Sequence, residues 1–145
     1  MNVKNFFTKE QKEKIIQAIK EAENETSGEI RIHLESGCKG DALERAVKVF
    51  QKLKMHETQL RNGTLIYLAV KDKKFAIYGD EGINEIVTEN FWRDVKDEMR
   101  EHFSKGQFAE GIVIGTLKVG EKLKEYFPYQ DDDVNELPDD ISIGE

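Results

Sequence analysis

Two apolar runs joined by a tight polar link constrain this chain more than any other stretch. Thr64 to Val70 and Phe75 to Tyr78 flank Lys71-Asp72-Lys73-Lys74. Asn62-Gly63 stands before the first run, and Gly79-Asp80-Glu81-Gly82 follows the second. Read as a hairpin turn, the link makes the runs antiparallel strands and brings both outer flanks to one end of the sheet. Arg61, Asn62, Asp80 and Glu81 then stand close together, beside glycines that let a ligand approach the backbone. That end of the sheet is where a site is expected.

The flanking sequence supplies the rest of an α/β pattern. Thr8-Lys9-Glu10-Gln11 matches a capping box, and Ile15, Ile16, Ile19 and Ala22 follow at helical spacing, so residues 8–25 read as an amphipathic helix. Glu29 to Glu35 alternates, with Ile30, Ile32 and Leu34 on one side and Arg31 and His33 on the other, as in a strand with a polar face near a sheet edge. Asp41 and Glu44 open a second helix with an apolar stripe of Leu43, Ala46, Val47, Phe50 and Leu53. The run from Thr64 is nearly continuous in apolar residues and reads as a central strand covered on both faces. Strand, helix and strand form a βαβ unit, expected to be parallel and right-handed. The 75–79 strand returns antiparallel.

Everything after Gly82 reads helical. Asn90 is expected to cap a segment through Phe91, Trp92, Val95, Met99 and Phe103, and Phe108 to Tyr126 resumes after Gly106. Gly111, Gly115 and Gly120 weaken that last helix, and close packing is the favoured reason for them. The aromatics Phe91, Trp92, Phe103 and Phe108 recur at helical spacing and read as core.

Charge decides which partners are excluded. Residues 130–145 hold five aspartates, two glutamates and no Lys or Arg, which accounts for the entire net charge of −7. Residues 1–129 are therefore formally neutral and offer no basic excess for nucleic acid, while the tail would repel it. Residues 1–129 read as one domain. The tail, cut by Pro138, reads as extended or disordered. No apolar run approaches the roughly 20 residues of a membrane span, and the start MNVKNFFTKEQ has no signal-peptide core. The chain is accordingly read as a cytoplasmic monomer without an integral membrane segment.

Following strand directions brings Glu29 to the same sheet end as Arg61, Asn62, Asp80 and Glu81. Carboxylates with an amide oxygen suit a hard divalent cation, calcium or magnesium, so Glu29, Asn62, Asp80 and Glu81 are the candidate ligands. An arginine beside them suits a phosphate oxygen, which makes Asp80 and Arg61 the candidates for phosphoryl chemistry. On the same geometry, Arg61 could simply pair with Glu29 or Asp80 while the glycines make turns. No nucleophile with an adjacent base is evident: Ser27 and Thr58 lack an activating group, and Cys38 lacks a partner histidine. His33, His56 and His102 have no zinc spacing and read as solvated surface residues. Asp131-x-Asp133-x-Asn135 copies the start of a calcium loop, but Glu136 replaces its glycine and Ser142 its last carboxylate.

Four motifs in register carry a resemblance: Thr26-Ser27-Gly28-Glu29-Ile30, Arg61-Asn62-Gly63, Gly79-Asp80-Glu81-Gly82-Ile83 and Gly106-Gln107-Phe108-Ala109-Glu110-Gly111. Their order and spacing resemble the TPM domain over about residues 6–129, and the chain looks like a small, stand-alone bacterial member. The resemblance implies a three-layer α/β/α sandwich with a short mixed sheet. It also implies a divalent-cation site at the acidic sheet end, and the acid phosphatase activity attributed to plant members. Glu29 matches the glutamate opening the first strand, Asn62 the residue before the second strand's glycine, and Asp80 the glycine loop. The preferred expectation is a cation-binding module, in which calcium or magnesium orders the 79–83 loop for a protein partner. A metal-assisted phosphatase and a non-catalytic scaffold with an acidic recruiting tail are the alternatives.

Overall fold

The computed structural model describes residues 3–88, 90–129 and 140–144. A short 3-10 turn, Val3–Asn5, precedes α1 (Lys9–Glu23), whose N-cap Thr8 accepts from the Gln11 amide while the Gln11 side chain accepts from the Thr8 amide. The capping box read from the sequence is therefore present. β1 (Ile30–Glu35), α2 (Ala42–Lys52, capped by Asp41), β2 (Thr64–Ala69) and β3 (Lys74–Gly79) follow. The chain continues through α3 (Glu81–Asn84), α4 (Arg93–Ser104), α5 (Phe108–Tyr126) and β4 (Ile141–Ile143).

The strands form one mixed sheet in the order β3-β2-β1-β4, with β1 parallel to β2 and β4, and β2 antiparallel to β3. Strand alternation sorts the core into two layers. Ile30, Ile32, Leu34, Ile66, Leu68 and Ile77 face α1, α4 and α5. Leu65, Tyr67, Ala69 and Ala76 face Phe50 and Val49 of α2. A helix layer on each side of a mixed sheet is the expected sandwich, and β2, buried at every position, is its centre.

α5 is the spine of the three-helix layer because its glycines let neighbours come close. A methyl at Gly115 would lie 2.9 Å from Met99 Cγ, and one at Gly120 would lie 2.9 Å from the Ala22 Cα. Close packing is thus the reason for these residues. Trp92, Val95 and Met99 are buried in the same layer, with Phe91, Phe103 and Phe108 packed against it.

Three readings change. β1 stands one strand in from the edge, next to the three-residue β4, but its polar face is not solvated: His33 and Glu35 are buried under α2. The sequence reading anticipated no strand at 141–143; three residues bounded by an acidic run and a glycine are too short for periodicity to register. Residues 130–139, with the Asp131-x-Asp133-x-Asn135 run, lie outside the described residues. Lastly, Asn90 does not cap α4. The helix begins at Arg93 after Trp92, which has no side-chain cap, and the Arg93 amide donates to the Asn90 carbonyl instead.

Candidate functional site

The register places the starts of β1 and β2 and the end of β3 at one edge of the sheet, since Ile30 pairs with Thr64 and Thr64 with Gly79. Main-chain bonds tie the flanks together there. The Thr64 amide donates to the Glu29 carbonyl (2.7 Å), and the Asp80 amide donates to the Gly63 carbonyl (2.9 Å). The Gly82 amide donates to the Arg61 carbonyl (2.8 Å). Arg61 adopts a left-handed φ of 49°, uncommon for a residue with a side chain. Gly82 packs so close that a methyl there would lie 2.6 Å from the Arg61 carbonyl oxygen, so only glycine fits this approach.

Arg61 grips Asp80 with a two-pronged contact: Nε to Oδ2 at 2.8 Å and Nη2 to Oδ1 at 2.9 Å. Its Nη1 also reaches Glu81 Oε1 at 3.1 Å. Asp80 is buried and uses the same Oδ1 to cap α3 by accepting from the Glu81 amide at 2.8 Å. The Asp80 contact raises the Arg61 pKa above its ordinary value. These groups open on a cleft of about 370 Å³ walled by Phe50, Gln51, His56, Arg61, Tyr78 and Asp80. Burial, seconded by Asp80, holds the Tyr78 phenol above its usual range.

The structure thus brings Arg61, Asp80 and Glu81 into direct contact, the pairing that the sequence geometry allowed as its alternative. Glu29 and Asn62 are buried at the same sheet end but do not border the cleft. Asn62 Nδ2, Thr58 Oγ1 and Thr64 Oγ1 are buried with no hydrogen-bond partner among the described residues. Nor do the described residues hold three or more His, Cys, Asp or Glu side chains already grouped around a metal-sized space.

A second polar cluster lies on the α2 face, away from the candidate ligands. Glu35 is buried and receives Arg45 Nε at 3.0 and 3.2 Å, Arg45 Nη2, the Tyr67 hydroxyl at 2.6 Å and His33 Nε2 at 3.2 Å. Burial pushes the Glu35 carboxyl up, but the hydrogen bonds from Arg45, Tyr67 and His33 outweigh it and bring the pKa down to about 2. Burial, then the Glu35 contact, pushes the Tyr67 phenol well up. His33 is not a solvated residue: it is buried, its Nδ1 lies 2.8 Å from Ser142 Oγ, and burial lowers its pKa. His102 is also engaged, with Nδ1 bonded to the Glu98 carbonyl at 3.0 Å, while His56 walls the cleft. Period-two alternation puts His33 and Glu35 on one strand face, and Tyr78 and Asp80 on another, but it carries no sign of the partners that bury them.

A sandwich of this topology, with an Arg–Asp clasp where three strand ends meet, defines the class. The chain matches the TPM domain over residues 1–122 and belongs to that family. Its fold is similar to the NMR structure of the BA42 protein from the psychrophilic bacterium Bizionia argentinensis, with a TM-score of 0.92, 47% identity and 99% of each chain covered. It also resembles the solution structure of the N-terminal domain of the cg2496 protein from Corynebacterium glutamicum, with a TM-score of 0.65 over 94% of this chain and 80% of the other. At 13% identity that second likeness concerns the fold alone. Comparison with curated proteins gives no match. No described helix is long and apolar enough to cross a membrane.

Proposed function

We propose that this TPM domain takes up a divalent cation, calcium or magnesium, at the acidic sheet end and acts through protein interaction. The observation that carries this reading is the contact of Asp80 and Glu81 with a single guanidinium, at the sheet end where Glu29 also stands. Two carboxylates against Arg61 leave one formal negative charge, and Glu29 at the same sheet end is a further carboxylate for a dication to recruit. The residues fit a hard cation on one condition. Both Asp80 oxygens are engaged by Arg61, so the cation takes the place of the guanidinium, which is part-exposed and free to swing to solvent. Asp80, Glu81, Glu29 and the Asn62 amide oxygen are the ligands in this reading. The unpartnered buried hydroxyls of Thr58 and Thr64 support it, because such oxygens commonly mark a water or ion.

Release of Arg61 would re-form the 79–83 segment, since Arg61 holds Asp80 and Glu81 through its side chain and Gly82 through its carbonyl. That change is what a protein partner would sense. The test is a calcium titration followed by amide NMR. Shifts saturating at millimolar calcium are expected at residues 29, 61–64 and 79–83, with loss in Asp80→Asn and tighter binding in Arg61→Gln. No calcium-dependent shift in either the parent chain or Arg61→Gln would sink the reading.

A further inference from the structure

The free side of β1 is covered by only three residues, Ile141–Ile143, and the way they sit defines what that groove accepts. Ile141 and Ile143 lean on the three-helix core, each half-buried. Between them Ser142 turns to the other face, its Oγ 2.8 Å from His33 Nδ1. The Gly144 amide donates to the Leu34 carbonyl at 2.8 Å. A methyl on Gly144 would lie 2.8 Å from His33 Nε2 and 2.9 Å from Glu35 Oε1. Those two atoms cannot retreat cheaply, because Glu35 is held by Arg45 and Tyr67. Before the strand, Asp140 lies within electrostatic reach of Arg31.

The groove is not fully used by its occupant. A cavity of about 150 Å³ remains between β4 and α2, lined in part by His33, Val49, Leu53 and Ser142. Arg31 Nε is buried without a hydrogen-bond partner among the described residues. A three-residue strand with half-exposed side chains is also a weak cover, because an edge strand held mainly by its main chain opens locally.

We propose that the β1 edge is a peptide-docking groove that accepts an extended segment of a partner protein in place of β4. The chemistry written by β4 specifies that segment: an acidic residue, an aliphatic, a serine or threonine, a second aliphatic, then glycine, added parallel to β1. Main-chain pairing with β1 gives affinity, and alternate side chains give selectivity, as in other strand-addition interfaces. A partner that also offers Arg31 an acceptor gains a contact that β4 leaves unmade. This surface is separate from the Arg61–Asp80 clasp, so it stands or falls independently of cation binding.

The test uses the full chain with Ile141→Asp and Ile143→Asp, which unseats β4, and a fluorescein-labelled peptide of residues 139–145. Fluorescence anisotropy should show the peptide binding the double variant at least about tenfold more tightly than the parent chain, where β4 competes by mass action. Replacing glycine by valine in the peptide should abolish binding, and replacing serine by alanine should weaken it about fivefold. Amide hydrogen exchange on the parent chain gives the second measurement, independent of how the variant folds. The Gly144 amide should exchange about a hundredfold faster than β1–β2 ladder amides. Equal peptide binding by both chains, or indifference to the valine change, would overturn the proposal. So would a Gly144 amide protected as strongly as the sheet centre. A parent chain that dimerises with rising concentration through exchanged tails would make a second copy, not a partner protein, the occupant, and would overturn the assignment.

Discussion

Replacing Glu35 by glutamine should be the most damaging conservative change in the chain. The carboxylate takes two donors from Arg45, one from Tyr67 and one from His33, all on a side chain only 6% exposed. Glutamine keeps the shape but turns one acceptor into a donor facing donors. Hydrogen bonds to a charged group are worth about 1.5–3 kcal/mol each, but the 40% exposed Arg45 side chain can recover part of its hydration. The net loss is therefore about 3 kcal/mol near neutral pH. Titration leads to a similar figure. A carboxyl with a pKa of about 2 when folded and 4.5 when unfolded contributes up to about 3 kcal/mol. Because the folded value is the lower one, this stability is fully present above pH 4.5 and is lost as pH falls toward 2. Urea denaturation followed by the fluorescence of Trp92, the single tryptophan, reads the difference. With a slope of about 2 kcal/mol per molar, the midpoint should drop by about 1.5 M, and the gap should shrink by more than half at pH 3. A midpoint shift below about 0.2 M, or a gap unchanged between pH 7 and pH 3, would refute the reasoning.

Three further outcomes are expected. His33→Gln should flatten the acid side of the stability profile, measured by thermal melts across pH. Burial lowers the His33 pKa below its ordinary 6.5, so the parent chain loses stability as pH falls through that value and the variant lacks this loss. Gly115→Ala should cost about 1 kcal/mol in urea denaturation, because the flexible Met99 side chain can yield, whereas Gly120→Ala should cost about 3 kcal/mol, because it meets the α1 backbone at Ala22. Equal losses would mean that α1 shifts as easily as a methionine. Gly82→Ala should lower the melting midpoint and shift the amide signals of residues 60–64 in NMR, since the Leu60 and Arg61 carbonyls stand where its methyl would go. An unshifted spectrum would show that the clasp does not depend on this approach.

Local signals were legible wherever one residue type answers one local need. Thr8 and Asp41 cap the helices they were read to cap, and the unbroken apolar run from Thr64 became the doubly covered central strand. The convergence of Arg61 with Asp80 and Glu81 was legible too, because a short antiparallel link leaves both flanks no other place. Cation binding at that end is a proposal the residues invite. The pairing of Arg61 with Asp80 was one of the arrangements open to the sequence, and the fold adopts it with Asp80 also capping α3.

Other features depended on distant segments. His33 and Glu35 alternate like surface residues, and nothing near them in sequence says that Arg45, Tyr67 and Ser142 will close over them. Their burial follows from α2 crossing that face and β4 arriving from the far end of the chain. β4 itself is invisible to periodicity, because three residues gain a strand conformation only from the edge they meet. By itself, then, the sequence determined the longer elements and the crowded sheet end, since helix periodicity, caps and a short hairpin are local physics; the sandwich was what the family resemblance implied. Only the tertiary structure decided which polar groups are buried and paired and which edge is covered. Desolvation and strand pairing depend on what lies opposite in space, and chain order does not record it.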